Sequence, residues 1–159
     1  MKYITRLELK WGIIFTLAGL LWMYFEKSMG WHDVNIDKHT TMTNLFAIPA
    51  ITMIVLAQLE KRRKHYNGRM TWLQGFICGV VISVIVAILA PLSQYITANY
   101  ISPDYFNNVI EYASSKGQGT KEELAKHFNM KTYMMLSAVG ALVMGLITSA
   151  VVALFTKKK

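Results

Sequence analysis

The sequence has little of what soluble enzymes and disulfide-stapled domains are built from. A single cysteine, Cys78, among 159 residues excludes an internal disulfide, and there is no CxxC or Cys/His spacing for zinc or redox chemistry. Its ordinary reading is a small core residue. Charged residues make up only 16% of the chain and are missing altogether from residues 11–25, 39–59, 70–103 and 132–156. With 53% hydrophobic residues and a mean hydropathy of +0.31, the chain is too apolar for an ordinary soluble domain of this length. GxSxG, P-loop and dinucleotide fingerprints are also missing.

The apolar runs themselves set the architecture. A helix needs about 20 apolar residues to cross roughly 30 Å of hydrocarbon. The last three uncharged runs reach that length, and the first does so when extended through Leu7 and Leu9 with Lys10 snorkelling. The expectation is an all-α, polytopic membrane protein: one integral domain over residues 1–159, spans at about 7–25, 41–59, 71–99 and 132–155, and short amphipathic helices in a loop at 101–131. Lys2 and Arg6 before an apolar core resemble a signal peptide, but the core ends in "WMYFEK", which suits an interfacial anchor better than a cleavage site.

Charge then orients the spans. The stretch "EKRRKHYNGRMTWLQGF" packs Lys61, Arg62, Arg63, Lys64 and Arg69 between the second and third runs. If the helices alternate, these five fall on one side with Lys2, Arg6, Lys10 and Lys157 to Lys159, against only Glu8 and Glu60, a balance of +9. The other side carries −1, and the two make up the chain's +8. Cations gather in cytoplasmic loops, so both termini are expected inside, with the basic loop near anionic headgroups. Nucleic acid is not an expected partner: the loop is short, lies against the bilayer and offers only Tyr66 for stacking.

Small residues recur every fourth position in the third and fourth spans. Gly75, Gly79 and Ser83 form one stripe, and Ala141, Gly145 and Ser149 another. Such stripes let helix backbones approach closely in lipid, either with each other or with a second copy or another membrane protein. Pro49 and Pro91 predict kinks that free the carbonyls of Leu45 and Ala87. In the long loop, Ser102-Pro103-Asp104 reads as a helix start, Tyr105, Phe106, Val109, Ile110 and Ala113 as an apolar face lying on the membrane or over the bundle, and Thr120 with Glu123 as a capping box.

Chemistry has two candidate places. His32, Asp33, Asp37 and His39 lie within "GWHDVNIDKHT" and could share a divalent metal, but the spacing matches no helical ligand pair and a solvated polar loop is the preferred reading, so no metal site is assigned. Glu26, Asn44, Ser93 and Gln94 fall at one depth in the outer half, where broken helices with nearby amides can bind an ion or a polar solute, or simply bond to one another. No catalytic residue or cofactor is assigned. The expected role is a non-enzymatic accessory or scaffold protein; the alternatives are a subunit of a small-solute or ion transporter or channel, and a metal-dependent surface enzyme.

The segments "NIDKHTTMTNLFAIPAI", "YNGRMTWLQGF", "ISPDYFNNVIEYA" and "GALVMGLITSAVVALF" resemble, in order, a bacterial membrane family found mainly in Bacteroidetes, the domain of unknown function 4199. The resemblance implies an inner-membrane protein with four spans. It implies no activity, so no functional residue is carried over from it.

Overall fold

The computed structural model describes residues Thr5 to Lys158; Lys2 and Lys159, two of the cations used to orient the chain, lie outside the described residues. Helix α1 (Arg6–Ser28) starts at a capping box in which Glu8 reaches back to the Thr5 N–H at 2.8 Å. A tight turn through Gly30, at φ 73°, leads into α2 (Ile36–Met42). One 3-10 turn at Thr43–Phe46 joins α2 to α3 (Ala47–His65). The tightening falls just ahead of Pro49, which has no N–H to give to Leu45. The second span is therefore one 30-residue rod, Ile36–His65, that begins well before residue 41.

Asn67 and Gly68, at φ 49° and 85°, turn the chain from α3 into α4 (Trp72–Ile96), whose start is held by the Thr71 and Gln74 capping box. Helix α4 carries Pro91 within it and ends in a π-turn at Thr97–Ile101, closed by Ser102 N–H to Thr97 C=O at 2.8 Å. That closure corrects the expected cap of the next helix. Ser102 is committed to ending the third span, its hydroxyl is buried without a partner, and α5 (Tyr105–Ser115) starts after Asp104 with no side-chain cap. Helix α6 (Lys121–His127) opens on Thr120 and Glu123, and α7 (Met130–Thr156) on Asn129, whose side chain accepts from Thr132 N–H at 3.0 Å.

Among the described residues four helices are long and apolar enough to cross a membrane, and the chain is a multi-pass membrane protein. Helices α4 and α7 pack most closely. A Cβ placed on Gly79 would lie 2.5 Å from Ser149 Cβ, and one on Gly145 would lie 2.5 Å from Ser83 Cβ, so each glycine receives a serine from the opposite helix. Gly75 faces Ala153 in the same seam, whereas Ala141 lines a cleft instead. Helix α1 lies against α4 through Gly12, whose missing side chain admits Ile85. Leu7, Ile54, Ala57, Cys78, Ile82 and Val152 form the buried core.

Helices α1, α3, α4 and α7 close together at the end of the bundle that holds Thr5 and Lys158. Gln58 donates to the Ser149 carbonyl at 3.2 Å and accepts from the Thr156 hydroxyl, Arg62 caps the last turn of α7 through the Thr156 carbonyl at 2.7 Å, and Met70 and Lys158 exchange two backbone hydrogen bonds at 2.8 Å. Toward the far end a cleft of about 370 Å³ opens between α3 and α7, lined by Phe15, Phe46, Ile54, Ile82, Val86 and Met144.

Candidate functional site at the far end of the bundle

Glu26 occupies the last turn of α1 and is fully buried. A carboxylate there costs several kcal/mol unless it is paired or hydrogen-bonded. The turn after α1 folds back so that His32 Nε2 lies 3.0 Å from Glu26 Oε2, and the first turn of α2 brings His39 Nδ1 to 3.4 Å from the same oxygen. The other oxygen, Oε1, accepts from Trp22 Nε1 at 2.5 Å, one helical turn earlier. Thr43 lies against the same carboxylate.

Helix α5 covers this group. The Tyr105 ring meets both imidazoles edge-on at centroid distances of 5.2 Å, and Asn108 donates to the His32 carbonyl at 2.9 Å. Burial pushes the Tyr105 phenol above its usual value, so the ring lies over the site as a neutral lid. His32 is 2% exposed and His39 18%, which leaves the His39 side as the approach from solvent.

The structure therefore joins two residues of one candidate cluster to one of the other. Glu26 meets His32 and His39, and one ligand atom from each lies within 4.8 Å of the others. Asp33 is drawn off: Lys27 binds it at 2.7 Å and holds its carboxyl below the ordinary value, and its other oxygen accepts from Val34 N–H. Asp37 stays exposed in the first turn of α2. Asn44 and Ser93 spend their polar groups on their own helices, at the carbonyls of Thr40 and Leu89. Gln94 lines a smaller cavity of about 230 Å³ beside Trp22, Thr43 and Thr97.

A second buried polar group lies at the opposite end. Glu8 and Lys61, 0% and 1% exposed, are in ionic contact at 2.6 Å, and the Thr5 hydroxyl donates to Glu8 and accepts from Lys61. Of the five cations in the α3–α4 stretch, Lys61 and Arg62 are thus spent inside the bundle. Lys64 pairs with Glu60 at 2.8 Å, and Arg63, Lys64 and Arg69 are exposed. Glu60 also receives Lys10 and the Trp11 indole, at 2.5 and 2.7 Å, which ties α1 to α3 at this end. The sequence signal for Glu8 was the Thr5-x-x-Glu8 capping box, and for Trp22 its place one turn before Glu26.

Glu26, His32, His39 and Lys61 lie inside the stretch that one family shares, while Thr5 and Glu8 precede it. The chain belongs to the DUF4199 family. That family, described as a protein of unknown function, is matched over residues 10–158, from the first turns of α1 to the end of the α7 bridge. No curated protein and no solved structure matches this DUF4199 chain.

Proposed function

We propose that this DUF4199 protein is a non-enzymatic accessory protein of a bacterial inner membrane, with both termini in the cytoplasm and a binding group at its periplasmic end. The observation that carries this reading is the segregation of its buried polar chemistry. Glu26, His32 and His39 gather at one end, and Glu8, Lys61 and Gln58 at the other. Between them Phe15, Phe46, Ile54, Ile82 and Val86 line the middle of the bundle, with hydroxyls such as Ser83 bonded to their own helix. A solute crossing one chain would have to leave one polar cluster and traverse hydrocarbon before meeting the next, which costs several kcal/mol for any ion.

The exposed Arg63, Lys64 and Arg69, with Lys10 and the cations near the C-terminus, support a cytoplasmic terminal end lying against anionic headgroups, at about 1 kcal/mol per cation near the surface. The second reading, a subunit of a small-solute or ion transporter, is favoured by one feature. The 230 Å³ cavity beside Trp22 sets Thr16, Thr43, Ser93, Gln94 and Thr97 in an otherwise mainly apolar lining, where the third span carries Pro91 and ends in the π-turn. Reconstitution into liposomes with a panel of labelled cations and polar metabolites separates the two. The accessory reading expects flux equal to protein-free liposomes. Flux above that level, abolished by Gln94→Ala, would replace it with the transporter reading.

A further inference from the structure

We infer that Glu26, His32 and His39 bind one divalent cation of the zinc class, held by two imidazole nitrogens and one carboxylate oxygen with a coordination position left open. The inference goes beyond the accessory reading and does not depend on which way the chain crosses the membrane.

Three geometric facts carry it. First, the donor atoms stand close to metal-site spacing. Bonds of about 2.0–2.2 Å to a tetrahedral centre place neighbouring ligand atoms about 3.3–3.6 Å apart. The two nitrogen-to-oxygen edges are 3.0 and 3.4 Å, and the whole triad fits within 4.8 Å. Second, the group is short of partners as it stands. His39 Nδ1 is buried, faces the carboxylate oxygen and makes no aligned hydrogen bond, and His32, whose Nε2 bonds Glu26 at 3.0 Å, leaves its buried Nδ1 unpartnered. A cation between them would give the His39 nitrogen and the Glu26 oxygen a common partner. Third, among the described residues no ammonium or guanidinium compensates Glu26: the neighbouring Lys27 is committed to Asp33. A dication would neutralise the buried carboxylate and convert all three side chains into ligands.

The donor set selects the class. Two imidazoles and one carboxylate suit zinc, cobalt, nickel or ferrous iron, whereas calcium and magnesium take mostly oxygen ligands. The supporting contacts are those a metal centre uses. Trp22 Nε1 fixes the non-ligating oxygen of Glu26, and Asn108 anchors the backbone of His32. His39 borders solvent, so the open position would face outward from the bundle and could receive water or an anionic group of a partner.

The test uses the full chain, purified in detergent and stripped with a chelator. Zn²⁺ is titrated by calorimetry, and Co²⁺ is followed through its visible d–d absorption. One equivalent per chain is expected, with intensity typical of low coordination number. Glu26→Gln and His39→Ala should weaken binding at least 100-fold, while Asp37→Asn should not change it. Because His39→Ala could perturb the fold, His39→Cys provides an independent readout: it replaces one ligand by another and should add a thiolate-to-cobalt charge-transfer band. Failure of the folded wild type to bind saturably, unchanged affinity in His39→Ala, or a cobalt complex of His39→Cys without that band would each overturn the assignment. The transport measurement above is unaffected by any of these results, so the two readings fail separately.

Discussion

Replacing Lys61 by Met tests how the terminal end is held together. The substitution keeps most of the aliphatic stem and removes the ammonium, leaving Glu8 at 0% exposure with only Thr5 and its own capping contacts. At the observed 2.6 Å the attraction is about 6 kcal/mol for an effective dielectric constant of about 20, while burying each ion costs several kcal/mol. The intact pair therefore comes close to cancelling, but a lone buried carboxylate does not. The expected cost of Lys61→Met is about 3–5 kcal/mol. In a domain of this size that lowers the melting temperature by roughly 6–20 °C. Glu8→Gln combined with Lys61→Met should recover most of the loss, since the orphaned charge is gone. Thermal unfolding in detergent, followed by tryptophan fluorescence, reads both. A single variant within about 1 kcal/mol of wild type, or a double variant no better than the single, would refute the reasoning.

Other consequences follow from the same structure. Gly79→Ala drives a methyl group into Ser149 and should cost about 1–3 kcal/mol in thermal unfolding, whereas Gly140→Ala, which meets nothing within 4 Å, should be neutral or slightly stabilising. Thr71→Ala removes the N-cap of α4 and should cost about 1 kcal/mol, seen as faster amide exchange in its first turn. Lys27 holds the Asp33 carboxyl below its ordinary 3.8, so the contact's stabilisation is complete above that pH and is lost as the pH falls through the depressed folded value. Both side chains are about one-third exposed, which limits the effect to a few tenths of a kcal/mol. Melting temperatures of wild type and Lys27→Met should differ near pH 7 and converge as the pH falls below 3.8 through the depressed folded value.

The four spans were legible because uncharged runs of that length have few other uses. Their ends were less so. Asp37, Lys38 and His39 made residues 36–40 read as loop, yet they form the first turns of a 30-residue rod, with Asp37 and Lys38 exposed. Ser102 carried a cap signature that local sequence could not weigh against the π-turn closing on it from the N-terminal side. At the far end, residue chemistry singled out His32 and His39 but gave Asp33 and Asp37 the same standing. Only the fold-back after α1 shows that Lys27 takes Asp33 and that Glu26, assigned by depth to another cluster, is the carboxylate the histidines meet. Glu8 and Lys61 are 53 residues apart, and each reads by itself as an interfacial charge; their burial is a property of helix packing that no local pattern encodes.

The account rests on the terminal end lying in the cytoplasm and the histidine end outside it. Cys78 is 1% exposed and buried in the core, so a single introduced cysteine can report its own position. Lys116→Cys, in the exposed turn between α5 and α6, and Arg63→Cys, at the basic end of α3, should be compared in intact bacterial cells with a membrane-impermeant maleimide. The predicted result is labelling of Lys116→Cys in intact cells and of Arg63→Cys only after permeabilisation. The reverse pattern would contradict the orientation and move the histidine site to the cytoplasm.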